Sequence, residues 1–240
     1  MFFKNIREMV SKFTSHVELS STLILELRKE YPSILGSIVN QEQNNPNFQH
    51  EKLMTHIAAT ADNILNSYIP YGIKNELVVA AMLYRTGEPD VCKREYSQVF
   101  GKEINVFEGY TDFSHAKAKQ VLDRDGSIGK IFINDILAII DHYEDFENYY
   151  TSDDFDTMNW LSETTDNKLI NQDSISDVIN KFYKFVTPHQ WMGITFLMEA
   201  DARAQAQFTK SHSGIVVDSR LQKVDRALQI RYEIAKHFNL

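Results

Sequence analysis

The chain has 240 residues, 43% apolar and 12% aromatic, enough to bury a sizeable core and too rich in rings for a disordered polymer. A formal net charge of −8 argues against nonspecific DNA or RNA binding, which is built on many Lys and Arg contacts to phosphate. A single cysteine, Cys92, excludes an intrachain disulfide framework. No run approaches the ~20 apolar residues that span a bilayer, and the opening MFFKNIREMV mixes charge with apolar residues, so no membrane partner and a cytoplasmic location are expected.

Hydrophobic periodicity is helical almost throughout. Residues 17–30 place Val17, Leu23, Ile24 and Leu27 on one stripe, and Pro32 stops the helix. A polar loop over 40–50 centres on Pro46. The next helix is predicted from about Glu51 to Tyr68, with Leu53, Ile57, Ile64 and Leu65 inward and Pro70 and Gly72 ending it. Ile73 to Tyr84 is apolar almost all round, the mark of a helix surrounded by others, until Gly87 and Pro89 break it. Residues 112–124 read as an amphipathic helix capped by Asp112 or Ser114. Past the Asp125-Gly126 turn, an apolar helix covers about 130–149. A short helix is predicted around Phe155–Leu161, and three more over 174–185, 187–208 and 216–238, the second opened by Thr187-Pro188. Pairs such as Val216-Val217 are too short for strands, so the expected fold class is all-α. No linker divides the chain. The expected organisation is an N-terminal helical extension and polar loop over 1–49, followed by one helical domain over 50–240.

Chemistry-bearing residues interrupt these helices at intervals. They are His56 in LMTHIAATADNIL, Tyr84 and Arg85 in VVAAMLYRTGEP, His115 in YTDFSHAKAKQVL, Asp141 and His142 in LAIIDHYEDF, and Asp201 and Arg203 in MEADARAQAQF. In that order the segments resemble the HD-superfamily phosphohydrolases. The last is similar to the ADARGR element in the HD domain of bacterial CCA-adding tRNA nucleotidyltransferases. The resemblance spans residues 50–238. It departs from the family at the signature itself, because Tyr84 and Arg85 stand where HD enzymes carry their His-Asp pair. Arginine is not deprotonated in proteins and so makes no metal ligand.

The resemblance implies an HD-domain-like helical bundle whose metal ligands would be His56, His115, Asp141, His142 and Asp201 around one divalent ion (manganese, magnesium, nickel or cobalt). Asp141 and His142 would be the catalytic pair. The altered doublet implies a different use, in which Tyr84, Arg85, His115 and Arg203 hold the phosphate of a nucleotide or an RNA end without a metal. Plainer readings stand beside these. A helical His is more often a structural hydrogen-bonder than a ligand, His115 could cap a turn, and Arg85 could pair with Asp141 or Asp201. A buried Asp201 demands a partner, with Arg85 or Arg203 the candidates. Cys92, between Asp90 and Lys93, lacks an assigned base and is weak as a nucleophile. Three functions remain open: a degenerate HD protein that binds a phosphate-bearing ligand or a protein partner with little or no hydrolysis; an active metal-dependent phosphohydrolase on nucleotides or RNA phosphates; and a helical interaction module.

Overall fold

The computed structural model describes residues 20–44, 52–69, 71–98, 101–151, 186–213 and 218–239. Its elements in chain order are α1 (Ser20–Glu30), α2 (Pro32–Leu35) with a 3-10 turn over Gly36–Val39, α3 (Leu53–Asn66), α4 (Tyr71–Leu83), α5 (Glu88–Val91), β1 (Lys93–Ser97), β2 (Lys102–Val106), α6 (Tyr110–Asp125), α7 (Lys130–Thr151), α8 (Pro188–Ser213) and α9 (Asp218–Phe238). The class is all-α with one small hairpin. The expected helices at Phe155–Leu161 and 174–185 lie outside the described residues, as do residues 45–50 of the expected 40–50 loop.

Periodicity explains which faces meet. On α3, Leu53, Ile57, Ala61 and Ile64 are fully buried, with His56 and Thr60 on the same inward side. α4 is central, as its all-round apolar sequence predicts: every residue from Leu77 to Leu83 is buried. Ile24, Leu27, Leu35 and Ile38 from the first described helices join the same core as Leu83, Ile139, Trp191, Leu197 and Ile234. Among the described residues no helix is long and apolar enough to cross a membrane.

Helix starts and turns carry local chemistry. Pro188 opens α8, as expected, and Thr187 and Gln190 form a reciprocal cap: the Gln190 amide N–H donates to Thr187 Oγ1 (3.3 Å) and the Thr187 amide N–H to Gln190 Oε1 (2.9 Å). α6 is not capped by Asp112 or Ser114. It begins at Tyr110 after Gly109, whose φ of 72° lets the chain turn sharply into the helix. Ser114 instead faces inward, where its Oγ accepts from the Gly87 amide (2.9 Å). A Cβ on Gly87 would stand 2.3 Å from the Tyr110 carbonyl oxygen and 2.5 Å from the Ser114 nitrogen, so only glycine lets the end of α4 press onto α6.

The hairpin is the departure from expectation. β1 and β2 pair antiparallel, Lys93 opposite Val106 and Ser97 opposite Lys102. Its residues are largely exposed and lack the apolar alternation by which a half-buried strand is recognised. Its anchor is polar: Asn105, buried, donates from Nδ2 to the Glu42 carbonyl (2.7 Å) and from its backbone N–H to the Asn44 carbonyl (3.2 Å).

Candidate functional site

Four core helices deliver polar side chains to one carboxylate. Asp201, on the inward face of α8, is 2% exposed. Its Oδ1 accepts from His56 Nε2 of α3 (2.5 Å) and from the Tyr84 hydroxyl at the end of α4 (2.7 Å). Its Oδ2 accepts from the Tyr143 hydroxyl of α7 (2.6 Å) and from Gln205 Nε2 one turn along α8 (3.0 Å). Thr60 Oγ1 lies 3.3 Å from the Tyr84 oxygen, and the Tyr84 and Tyr143 rings meet edge to face at 5.1 Å. A carboxylate offers about four lone-pair positions, and here each meets a protein donor.

Arg85 extends the network outward. Its Nη1 stands 4.0 Å from Asp201 Oδ1 and 3.3 Å from His56 Nε2, while its Nε pairs with Glu88 Oε1 at 2.8 Å. Guanidinium has only donors, and His56 Nε2 already gives its proton to Asp201, so the 3.3 Å approach is two donors converging on one anion rather than a bond between them. The guanidinium carbon also lies 5.7 Å from the Tyr84 ring centre and 5.5 Å from that of Tyr110. Glu88, fully buried, accepts from Gln43 Nε2 at 2.7 Å.

The charges follow from these partners. Burial alone would raise the Asp201 carboxyl, but the charges of His56 and Arg85 and the bonds from His56 and Tyr143 outweigh it and hold it well below the carboxylate range. Burial likewise works against the Arg85 cation, yet Glu88 above all, with Tyr110, Asp201 and Tyr84, leaves the guanidinium firmly charged. Burial, seconded by Asp201, pushes the Tyr84 phenol well up, so it remains a donor. Glu88 is also pushed up by burial, against the pull of Arg85 and Gln43.

The other expected site residues do not join this cluster. His115, in the second turn of α6, pairs through Nδ1 with Asp141 Oδ1 of α7 at 2.6 Å, and both side chains are about one-third exposed (33% and 39%). His142, next to Asp141 in sequence, is half-buried on α7. Arg203 turns away from Asp201: its Nε and Nη2 hold Glu199 Oε1 at 2.8 and 2.7 Å, and its side chain is 47% exposed. Glu199 also binds Arg231 Nη2 of α9 at 2.7 Å, and that guanidinium lies 3.5 Å from the Phe196 ring centre. Arg203 therefore belongs to a clasp between α8 and α9, and Asp201 takes Arg85, His56 and two tyrosines instead.

The expected divalent ion does not fit these residues as they stand. The lone pairs of Asp201 are taken, and Arg85 adds a fixed positive charge where a cation would lie. Among the described residues no three His, Cys, Asp or Glu side chains gather closely enough to share a metal ion.

Several members of the network were not foreseen from sequence. Gln205 follows Asp201 by four residues and Glu88 follows Arg85 by three, spacings that share a helical face and so were readable. Tyr143 lies in an acidic stretch whose aromatic side reads as buried, with nothing in the sequence to mark its hydroxyl as a partner of Asp201. Gln43 gave no signal. Compared with known proteins, the chain matches no family model, no curated protein and no solved structure.

Proposed function

We propose that the chain is an HD-like helical module that has exchanged its metal for a built-in guanidinium, and that it binds a phosphate-bearing ligand, a nucleotide or an RNA end, without hydrolysing it. The observation that carries this reading is the juxtaposition of His56, Tyr84, Arg85 and Asp201 from three separate helical segments, in the order in which the HD resemblance lines them up. Side chains 28 to 145 residues apart in sequence meet within hydrogen-bond reach.

The chemistry of that meeting favours binding over turnover. Metal-assisted hydrolysis needs an ion that lowers the pKa of bound water, and the ligand atoms here are already committed to protein donors. Arg85 is kept cationic and offers the planar donor set that suits phosphate. An anion reaching it would have to compete with Glu88.

Elemental analysis of the purified protein, with a phosphatase assay in manganese, nickel or cobalt, tests the reading. The expected result is substoichiometric metal and no turnover above buffer. Stoichiometric metal with turnover that disappears in His142→Ala would overturn it.

A further inference from the structure

The outer side of the Arg85 cluster is closed by a short polar strap. Residues Gln41–Asn44 run between the 3-10 turn and α3 and are held almost entirely by hydrogen bonds. The Gln41 carbonyl accepts from the Leu53 amide (2.9 Å), Gln41 Nε2 donates to Cys92 Sγ (3.3 Å), and the Glu42 and Asn44 carbonyls accept from Asn105. Gln43, fully buried, bonds Glu88, which in turn grips Arg85. The strap places no apolar side chain in the core, and Asn44 sits at a φ of 36°, in the left-handed region that an L residue adopts at some cost.

These features distinguish the strap from every helix around the cluster. Removing a helix would uncover apolar core, whereas opening the strap breaks polar bonds that water can replace. What opening would reveal is Glu88 and, behind it, a guanidinium whose ion-pairing partner is a carboxylate only three residues away. That carboxylate, at 2.8 Å from Arg85 Nε, occupies a place on the guanidinium that the oxygens of an external anion would take.

We propose that Gln43 and Glu88 form a closure over Arg85 that a phosphate monoester displaces: its oxygens replace the Glu88 carboxylate on the guanidinium, and Gln41–Asn44 moves outward with the loss of the Gln43–Glu88 bond. The inference rests on Arg85 being the anion-recognising group of the proposed function and adds an internal competitor that sets its affinity.

The test titrates inorganic phosphate calorimetrically into the wild-type chain, Glu88→Gln and Gln43→Ala, with adenosine monophosphate as a second probe for any contribution from the nucleoside. Glu88→Gln should bind phosphate about tenfold more tightly than wild type, Gln43→Ala should shift the same way by less, and adding Arg85→Gln to Glu88→Gln should erase the gain. In the wild type, saturating phosphate should raise amide exchange at residues 41–44. The proposal is overturned if either variant, folded by circular dichroism, binds phosphate no more tightly than wild type, if the gain survives Arg85→Gln, or if exchange over 41–44 is unchanged by phosphate. Failure here with a metal-free, non-hydrolytic wild type that still binds phosphate or adenosine monophosphate would leave the HD-like reading standing. Metal and turnover would remove that reading whatever phosphate does.

Discussion

Asp201 keeps its charge in the interior because four donors reach it, and removing any one leaves a cost that the rest cannot absorb. Tyr84→Phe deletes one donor to Oδ1 and is expected to destabilise the fold by about 1–3 kcal/mol in urea unfolding. Asp201→Asn breaks a buried charged pair while keeping the shape, and an expected loss of about 3–5 kcal/mol separates it from a surface change. The same residue sets a pH dependence. Its carboxyl is held below its unfolded value, so its stabilising contribution is complete above about pH 4 and falls away as pH drops toward the folded value. Glu88, raised by burial, works with the opposite sign and in a higher window: the fold gains stability as pH falls through its raised value to the ordinary carboxyl range, above the pH at which Asp201 acts. Acid unfolding followed by circular dichroism should therefore begin below about pH 4 in the wild type and be flatter in Asp201→Asn. That a buried Asp201 needs partners follows from its apolar neighbours in the sequence. Their identity did not, because Tyr143 and Gln43 approach from segments whose local composition says nothing about facing Asp201 or Glu88.

Helices of this chain are set against one another by small residues at close crossings as much as by apolar stripes. Gly193 on α8 faces α7, where an added Cβ would stand 2.5 Å from Ile139 Cδ1, a contact that a side-chain shift can relieve. Gly87 faces backbone atoms of α6, which cannot move aside cheaply. Gly87→Ala is expected to cost about 3 kcal/mol, whereas Gly36→Ala, whose Cβ meets nothing within 4 Å, should be neutral or slightly stabilising. Thermal unfolding of both against wild type checks the contrast. A comparable loss in both would contradict the assignment, since Gly36→Ala gains helix propensity and meets no neighbour. Most of these helices could be read directly from spacing and from Thr187-Pro188. The hairpin could not, since Lys93–Ser97 is charged and solvent-facing and takes its strand form from pairing with Lys102–Val106 and from Asn105 bridging to the Gln41–Asn44 strap. The cap of α6 was misplaced for a related reason: Asp112 and Ser114 are good capping types, but Gly109 supplies the turn and burial recruits Ser114 elsewhere.

Across the whole molecule, the all-α class follows from 3.6-residue periodicity, and the order of polar residues along the chain anticipated half of the candidate site. His56, Tyr84, Arg85 and Asp201 converge, while His115 and Asp141 form a separate, solvent-reaching pair and Arg203 serves the α8–α9 clasp. Sequence order reports which helices carry polar residues but not their rotation about the helix axis, and rotation decides whether a side chain meets the core or water. On the proposed reading, Tyr84 and Arg85 fill the place of a metal-binding pair. The most direct measurement is the melting temperature of the double variant Tyr84→His, Arg85→Asp in EDTA and in excess manganese or nickel, beside the wild type. The account predicts a variant that is weakened in EDTA and rises by about 5 °C or more with metal, as expected for a ligand well above its Kd, while the wild type does not respond. A folded variant indifferent to metal, or a wild type that gains as much, would contradict it.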